Sequence, residues 1–321
     1  MPEGLNVGVW GVEIALGCLG LVQLVWDLFL PKTSARRRIA FLGLCGYLVI
    51  LWWISDMQPV GTGWAGAAAF GANDAFGLFF KKFFLVVAAG VTACSMAFTK
   101  DLPDGRGEFP TLITFATLGM TALASASDLL TLFLSLELLT ITLFMLSAWR
   151  RRDALSVEAG LKLLIAGATA ASFMLYGIAW AYGSSGALSF DAVAAAARAG
   201  DALPAGLAVA SALMLVGILF KVGGAPFHAW VPDVYQGAPA PVTAFLSVGS
   251  KAAGILILLR MFHSVLLPAA DLLAAPLAWV VGLTLFIGNL GAIRQRDLKR
   301  LLGYSSVGHA GYLLLAFATF S

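Results

Sequence analysis

Charged residues are scarce in this chain. Asp, Glu, Lys and Arg make up 12% of its 321 residues, while 60% of the residues are hydrophobic and the mean hydropathy is +0.91. A soluble domain carries about twice that share of charge, because it must cover its surface with polar groups. The composition therefore excludes an ordinary soluble domain and predicts a polytopic membrane protein.

Cysteine is also scarce, and the usual targeting signals are lacking. Cys18, Cys45 and Cys94 show no CxxC or Cys/His spacing, so neither a metal site nor a disulfide framework is indicated, and we expect buried apolar thiols. The start of the chain has no basic region and no A-x-A cleavage site. Its first apolar run is therefore predicted to be a retained spanning helix rather than a signal peptide.

The apolar runs predict an all-α fold with about ten transmembrane helices, since a bilayer core of about 30 Å needs roughly 20 apolar residues per helix. The predicted segments lie near 5–30, 38–56, 74–98, 110–126, 128–149, 154–182, 205–230, 242–262, 273–292 and 300–320.

Basic residues are concentrated in the loops that follow odd-numbered helices. They are Lys32, Arg36, Arg37 and Arg38; Lys100 and Arg106; Arg150, Arg151 and Arg152; and Arg294, Arg296, Lys299 and Arg300. The other loops carry one clear case, Arg198. By the positive-inside rule the basic loops are cytoplasmic, which places the N-terminus outside.

Six further cations lie inside the predicted spans: Lys81, Lys82, Lys162, Lys221, Lys251 and Arg260. A charge at the bilayer centre costs about 2.5–3.5 kcal/mol on insertion scales, so each is a functional candidate. Arg260 lies near a helix end and is expected to extend to the membrane interface. Lys81 and Lys82 are adjacent and point to different faces, so a functional role and a structural pairing role stay open for them.

Four charged residues are predicted to share one layer of the membrane. Glu137, Lys162 and Lys251 each lie about nine residues, or roughly 14 Å, inside their helices, and Lys221 is near mid-span. Burial disfavours a charged lysine and a nearby carboxylate favours it, so such a row could pass protons. The alternative is a static buried ion pair.

Two histidines are secondary candidates for the same layer. His309 also lies about nine residues inside its helix, one turn beyond Ser305 and Ser306, and His228 follows the interruption of helix 7. A membrane histidine can equally be a helix-packing group.

Helix 7 is predicted to break within "FKVGGAPFHAW". Pro226 lacks an N–H and clashes with the carbonyl of Val222, while Gly223 and Gly224 relax the backbone. In lipid, a broken helix is tolerated only where it is buried in protein or lines a hydrated cavity. Transporters commonly build ion sites at such breaks, although a simple packing kink is the alternative.

Three segments resemble the antiporter-like subunits of respiratory complex I, the NADH-quinone oxidoreductase. They are "EAGLKLLIAGATAASFMLYGIAWAYG", "FKVGGAPFHAWVPDVYQGAPAPVTAFLSVGSKAAG" and "GNLGAIRQRDLKRLLGYSSVGHAGYLLL". They occur in the family's order, and "APAPVTAFLSVGSKAAG" is more similar to the subunit N branch than to subunits L and M.

The resemblance implies a proton-pumping subunit of the bacterial inner membrane with two inverted repeats, each containing a broken helix. Glu137 then resembles the family's charge-coupling glutamate and Lys221 the lysine of the first broken helix. Lys162 and Lys251 resemble the lysines that carry the proton onward. FMN, iron-sulfur clusters and quinone would be used in other subunits, with no cofactor and no nucleic acid bound here. The implied partners are subunits M, L, K and J and the lipid bilayer.

The family has about fourteen helices, so we expect this chain to be a fragment. The implied division is an N-terminal three-helix segment over 1–108, a first repeat over 109–265 and the start of a second over 266–321. A subunit of an Mrp-type sodium/proton antiporter and a scaffold bundle with purely structural charges remain alternatives.

Overall fold

The computed structural model describes residues 10–30, 35–59, 73–98, 107–200, 202–262 and 266–318. The α-helices of this part of the chain are α1 (Gly11–Phe29), α2 (Ala35–Ser55), α3 (Ala75–Phe98), α4 (Glu108–Ser125), α5 (Leu129–Ser147), α6 (Ala154–Ser185), α7 (Phe190–Ala197), α8 (Ala205–Val222), α9 (Trp230–Gly237), α10 (Ala240–Phe245), α11 (Lys251–Met261), α12 (Ala270–Ile293) and α13 (Leu298–Ala318).

Nine helical stretches within the described ranges are long and apolar enough to cross a membrane. The remaining predicted segment, 110–126, corresponds to α4, whose several threonines lower its hydropathy. The prediction of an all-α polytopic fold is confirmed. The described helices agree with the predicted segments to within a few residues, except that the segment 205–230 continues past the end of α8 at Val222. The short helix α7 was not predicted, because eight residues give too brief an apolar pattern to separate it from a loop.

The chain forms two compact units, residues 1–146 with 239–249, and 147–238 with 250–321. In the first unit α1 packs against α2 and α4, and α3 packs against α2, α4 and α10. In the second unit α6 packs against α8 and α9, α12 against α13, and α11 against α8. These units are not the repeats inferred from the sequence, so the boundaries after residues 108 and 265 remain predictions.

Helix α8 ends at Val222, where Gly223 adopts the left-handed conformation with a φ of 82°. The amides of Gly223 and Gly224 donate hydrogen bonds of 2.9 and 2.8 Å to the carbonyl of Leu219, which closes the helix end. Glycine is favoured at a left-handed position after the last helical turn, because it has no Cβ that would clash there. The predicted break of helix 7 is therefore present, and it begins three residues before Pro226.

The helical stretch of the "APAPVTAFLSVGSKAAG" segment is not uniform. α10 is followed by a π-helical turn over Leu246–Ser250, and α11 then begins at Lys251. A π-turn inside an α-helix is rare and is frequently found at functional sites. It directly precedes one of the candidate lysines.

Candidate functional site

Lys221 lies in the last turn of α8, with its side chain only 4% exposed. The backbone of the break finds new partners from side chains of the same unit. Trp230 Nε1 donates to the carbonyl of Phe220 at 3.1 Å, and the amide of Ala225 donates to Thr284 Oγ1 at 2.9 Å. These bonds satisfy backbone carbonyl and amide groups that have no helical hydrogen-bond partner at the end of the helix.

Helix α11 approaches this helix end closely. A Cβ on Gly254 would lie 2.9 Å from Val222 Cγ2 and 3.4 Å from the carbonyl carbon of Lys221. Glycine is thus the residue that allows the two backbones to meet. Lys251 lies one turn before Gly254 on α11, so this contact brings the region of the two lysines together.

Lys251 is half-buried, and its Nζ donates to the carbonyl oxygen of Ser306 on α13. The Ser306 hydroxyl is 2.9 Å from the hydroxyl of Tyr235 on α9. Lys251, Ser306 and Tyr235 therefore form a polar layer across three helices. The sequence predicted a polar layer with the α13 serines but not the part that Tyr235 plays in it.

Lys162 lies in a separate charged cluster. Its Nζ is 2.6 Å from Glu158 Oε1 and 2.5 Å from Asp233 Oδ2 on α9, and Asp233 also contacts Arg300 on α13. The Lys162 side chain is 43% exposed in this chain, so it lies on the surface of the unit rather than in its interior. Its assignment to the proton row is still a prediction.

A cavity of about 310 Å³ accompanies this cluster. Its lining comprises Leu155, Glu158, Ala159, Lys162, Asp233, Gln236 and Arg300. Asp233 belongs to α9, which is not among the nine candidate spans. Burial raises the pKa of Asp233, but the hydrogen bonds from Lys162 and Arg300 outweigh that effect and hold the pKa below its ordinary value.

Lys299 contacts the C-terminal end of α9. Its Nζ donates to the carbonyl of Gln236 at 2.8 Å and to that of Ala238. A cation at this position satisfies terminal carbonyls and complements the negative end of the helix dipole. α13 therefore holds α9 through Lys299, through Arg300 and through the Ser306–Tyr235 contact.

Glu137 lies in α5, in the first unit, and is half-buried. Its control over Lys221, which the resemblance implies, is not tested by the structure of either unit. That role therefore stays a prediction.

Lys81 and Lys82 point to different surroundings, as expected for neighbours on a helix. Lys81 is fully buried and lies 3.0 Å from Glu13 Oε1. Lys82 is half-buried and donates to the carbonyl of Ser55 at 3.4 Å. The pairing role considered for Lys81 is thus present, with a partner that the sequence reasoning did not consider.

Several expectations for other residues need correction. Arg260 is 3% exposed, so protein rather than the interface surrounds its side chain. His309 is exposed, with its ring centroid 6.5 Å from that of Tyr312, and does not extend a buried layer in this chain. Cys18 and Cys94 are exposed rather than buried, because they lie on helix faces that this unit leaves uncovered.

The remaining site residues are placed as follows. His228 follows the break and is half-buried. Lys32, Lys100 and Arg106 lie outside the described residues. In the described part of the chain, no three His, Cys, Asp or Glu side chains form a group that could hold a metal ion.

Sequence reasoning missed Glu13, Asp233, Tyr235 and Thr284. Only Glu13 carried a visible signal, as a carboxylate inside the first apolar run. Asp233 and Tyr235 lie between the predicted segments 205–230 and 242–262, where the sequence predicts no helix. Thr284 is an unremarkable residue of an apolar helix until the fold places it beside Ala225.

A family model described as "NADH:quinone oxidoreductase/Mrp antiporter, TM" matches residues 126–321. This chain belongs to that family. The match begins just before α5 and includes the broken helix, Lys221, Lys251 and the α6–α9–α13 cluster. The resemblance drawn from the three sequence segments is confirmed.

A member of the NADH:quinone oxidoreductase/Mrp antiporter family is similar in sequence over nearly the whole of this chain. A protein of Moorella thermoacetica named NADH-quinone oxidoreductase subunit N is 41% identical over 319 residues, covering 98% of this chain and 65% of the relative. The chain thus spans about two thirds of that relative's length.

Solved structures share the fold. A chain of respiratory complex I from Thermus thermophilus with bound aureothin aligns with a TM-score of 0.77 and 33% identity, covering 95% of this chain and 64% of that one. A chain of the Mrp complex from Dietzia sp. DQ12-45-1b aligns with a TM-score of 0.79 and 21% identity, covering 99% and 60%. At that identity the Mrp likeness concerns the fold alone.

Proposed function

We propose that this chain acts as a proton-translocating membrane-arm subunit of NADH:quinone oxidoreductase. The observation that carries the proposal is Lys221, a buried lysine at the end of α8 where the helix breaks. The name of the Moorella relative, NADH-quinone oxidoreductase subunit N, favours this activity over others in the family. NADH oxidation and quinone reduction, with FMN and iron-sulfur clusters, take place in other subunits.

In this proposal Lys221 and Lys251 hold and release protons in turn. Lys221 lies where the backbone opens, and Lys251 is one turn from the Gly254 contact with the same helix end. The Ser306 carbonyl and the Tyr235 hydroxyl supply polar groups beside Lys251. Glu137 takes the part of the family's charge-coupling glutamate, as the resemblance implies.

Lys162 supplies protons from the charged cluster of α6, α9 and α13. The cavity beside Glu158 and Asp233 would admit water there. The basic loops then face the cytoplasm of a bacterial cell, the N-terminus faces outward, and subunits M, L, K and J are the neighbours in the membrane.

The test uses Lys221→Ala and Glu137→Ala in the complete subunit within the assembled complex. We expect normal assembly on a native gel but strongly reduced proton transport in vesicles. Arg198→Ala, which removes an exposed cation after α7, is the matched control and should leave transport unchanged. Normal pumping by the two assembled variants would overturn the proposal.

A second candidate is a subunit of an Mrp-type sodium/proton antiporter. The Dietzia structure favours it only through the shared fold. Purification of the native complex separates the two candidates, since the first requires flavin and iron-sulfur subunits in the same complex and the second requires their absence.

A further inference from the structure

A buried ion pair joins α1 to α3, outside the region that the family model matches. Lys81 Nζ lies 3.0 Å from Glu13 Oε1, and the two side chains are 0% and 6% exposed. Lys81 also donates to Asn73 Oδ1 at 2.7 Å, and Ser125 Oγ donates to Glu13 Oε1 at 2.8 Å. The Glu13 carboxylate of α1 is thus contacted by side chains of α3 and α4, and Asn73, before α3, contacts the lysine of the pair.

The pair lies near helix ends rather than in the middle of the spans. Glu13 is in the first turn of α1, Asn73 precedes α3, and Ser125 is the last residue of α4. Under the orientation proposed above, these ends face the outer side of the membrane.

The two oxygens of Glu13 differ in their surroundings. Oε1 accepts from both Lys81 and Ser125, whereas Oε2 is buried and has no hydrogen-bond partner among the described residues. A carboxyl group can carry a proton on one oxygen while the other still accepts hydrogen bonds. Protonation at Oε2 would therefore leave both contacts of Oε1 in place.

We propose that Glu13 is a proton-binding residue and that Lys81 positions its carboxylate. A hydronium ion at the outer surface transfers its proton to Oε2, forming an O–H bond and leaving water, and the reverse step releases the proton. Lys81 keeps its charge, so protonated Glu13 leaves a buried cation without its counter-charge and is occupied only during turnover. The outer location rests on the orientation given under the proposed function, and the proton binding rests on the geometry of the pair.

Other ionisable groups of the packed elements have separate contacts. Asp74 Oδ1 accepts from the amide of Gly77 at 2.7 Å at the start of α3. Asp128 Oδ1, after α4, accepts from the amides of Leu130 and Thr131 at 2.9 and 2.8 Å. Both act as helix N-caps. Asp56, after α2, is exposed, and Lys82 is directed to Ser55.

A static ion pair is the competing explanation. A double variant in which both residues are neutral distinguishes it from proton binding. Glu13→Gln alone leaves Lys81 without its buried counter-charge, so assembly should fall. The double variant Glu13→Gln with Lys81→Gln removes both charges and should restore assembly. We expect the assembled double variant to move fewer protons per NADH oxidised than the wild type. Wild-type proton transport in that variant would show a purely structural pair and overturn the proposal.

Labelling of the native complex gives a second readout that does not depend on pumping. A hydrophobic carbodiimide adds to a protonated carboxyl group in apolar surroundings and forms a stable N-acylurea, which peptide mass spectrometry locates. We expect an adduct on Glu13 that forms faster at acidic than at alkaline pH, and faster still in Lys81→Gln. Lys82→Gln, the adjacent control, should label like the wild type.

Absence of a Glu13 adduct over the whole pH range would overturn the proposal even if every variant assembles. Failure of the Glu13 proposal can be distinguished from failure of the proposed function. Normal pumping by Lys221→Ala would reject the lysine row without affecting the label on Glu13. Impaired pumping by Lys221→Ala together with an unlabelled Glu13 would reject only the proton-binding role of Glu13.

Discussion

Gly254 of α11 lies against the backbone of Lys221 at the end of α8, with 3.4 Å between a Cβ at position 254 and the Lys221 carbonyl carbon. The broken helix is therefore held by direct contact with the helix that carries Lys251. The segments that carry the two lysines are thus in direct contact at Gly254.

Gly254→Val should separate these two helices. Its side chain would overlap Val222, and forced overpacking costs about 1–3 kcal/mol. We expect a lower melting temperature of the complex and reduced proton transport. Gly282→Val is the matched control, since a Cβ at Gly282 meets nothing within 4 Å. Equal behaviour of the two variants would show that the contact is unimportant.

Thr284→Val should destabilise the break. Valine has the shape of threonine but cannot accept the hydrogen bond from the amide of Ala225, and a buried unsatisfied donor costs about 1–3 kcal/mol. The melting temperature should fall, and Thr284→Ser should retain most of the stability. Thr169→Val is the control, because the exposed Thr169 hydroxyl donates only to the carbonyl of Ile165. A similar effect at both positions would contradict the assignment.

Asp233→Asn should weaken the cluster that joins α6, α9 and α13. The variant loses the charged partner of Lys162 and Arg300, so we expect a lower melting temperature at neutral pH. The folded pKa of Asp233 is depressed, so its contribution is present above the unfolded pKa and is lost only as the pH falls through the folded pKa. The difference from wild type should therefore be constant between about pH 6 and 8. A steep change in that window would mean that another group controls the cluster.

Topology offers an independent prediction. A reporter fused after Arg152, between α5 and α6, should be cytoplasmic, and one fused after Gly186 should be on the outer side. The reason is the basic cluster Arg150–Arg152 and the positive-inside rule. An outer signal after Arg152 would reverse the proposed orientation, and with it the location assigned to Glu13.

Helix positions followed from the sequence because membrane spans are specified by long apolar runs and by breakers. The end of α8 is an example, since Gly223 and Pro226 mark it without any tertiary information. The π-turn at Leu246–Ser250 could not be predicted in this way, because its residues differ little from those of an ordinary apolar helix.

The position of a charge along the chain is given by the sequence, but its partners are not. Lys221 is buried at the break as expected, whereas Lys162 pairs with Glu158 and Asp233 on the surface of its unit. Arg260 has protein around it instead of the interface. Helix rotation and packing decide these outcomes, and the sequence of one helix does not show which side chains of a neighbouring helix will face it.

The contacts of Lys299 determine when the segment after the break can complete its folding during synthesis. The carbonyls of Gln236 and Ala238 receive their hydrogen bonds from a side chain that lies 63 and 61 residues later in the chain. Because synthesis proceeds from the N-terminus, α9 leaves the ribosome before the residue that caps it exists. The segment after the break can thus reach its final arrangement only once α13 has been inserted.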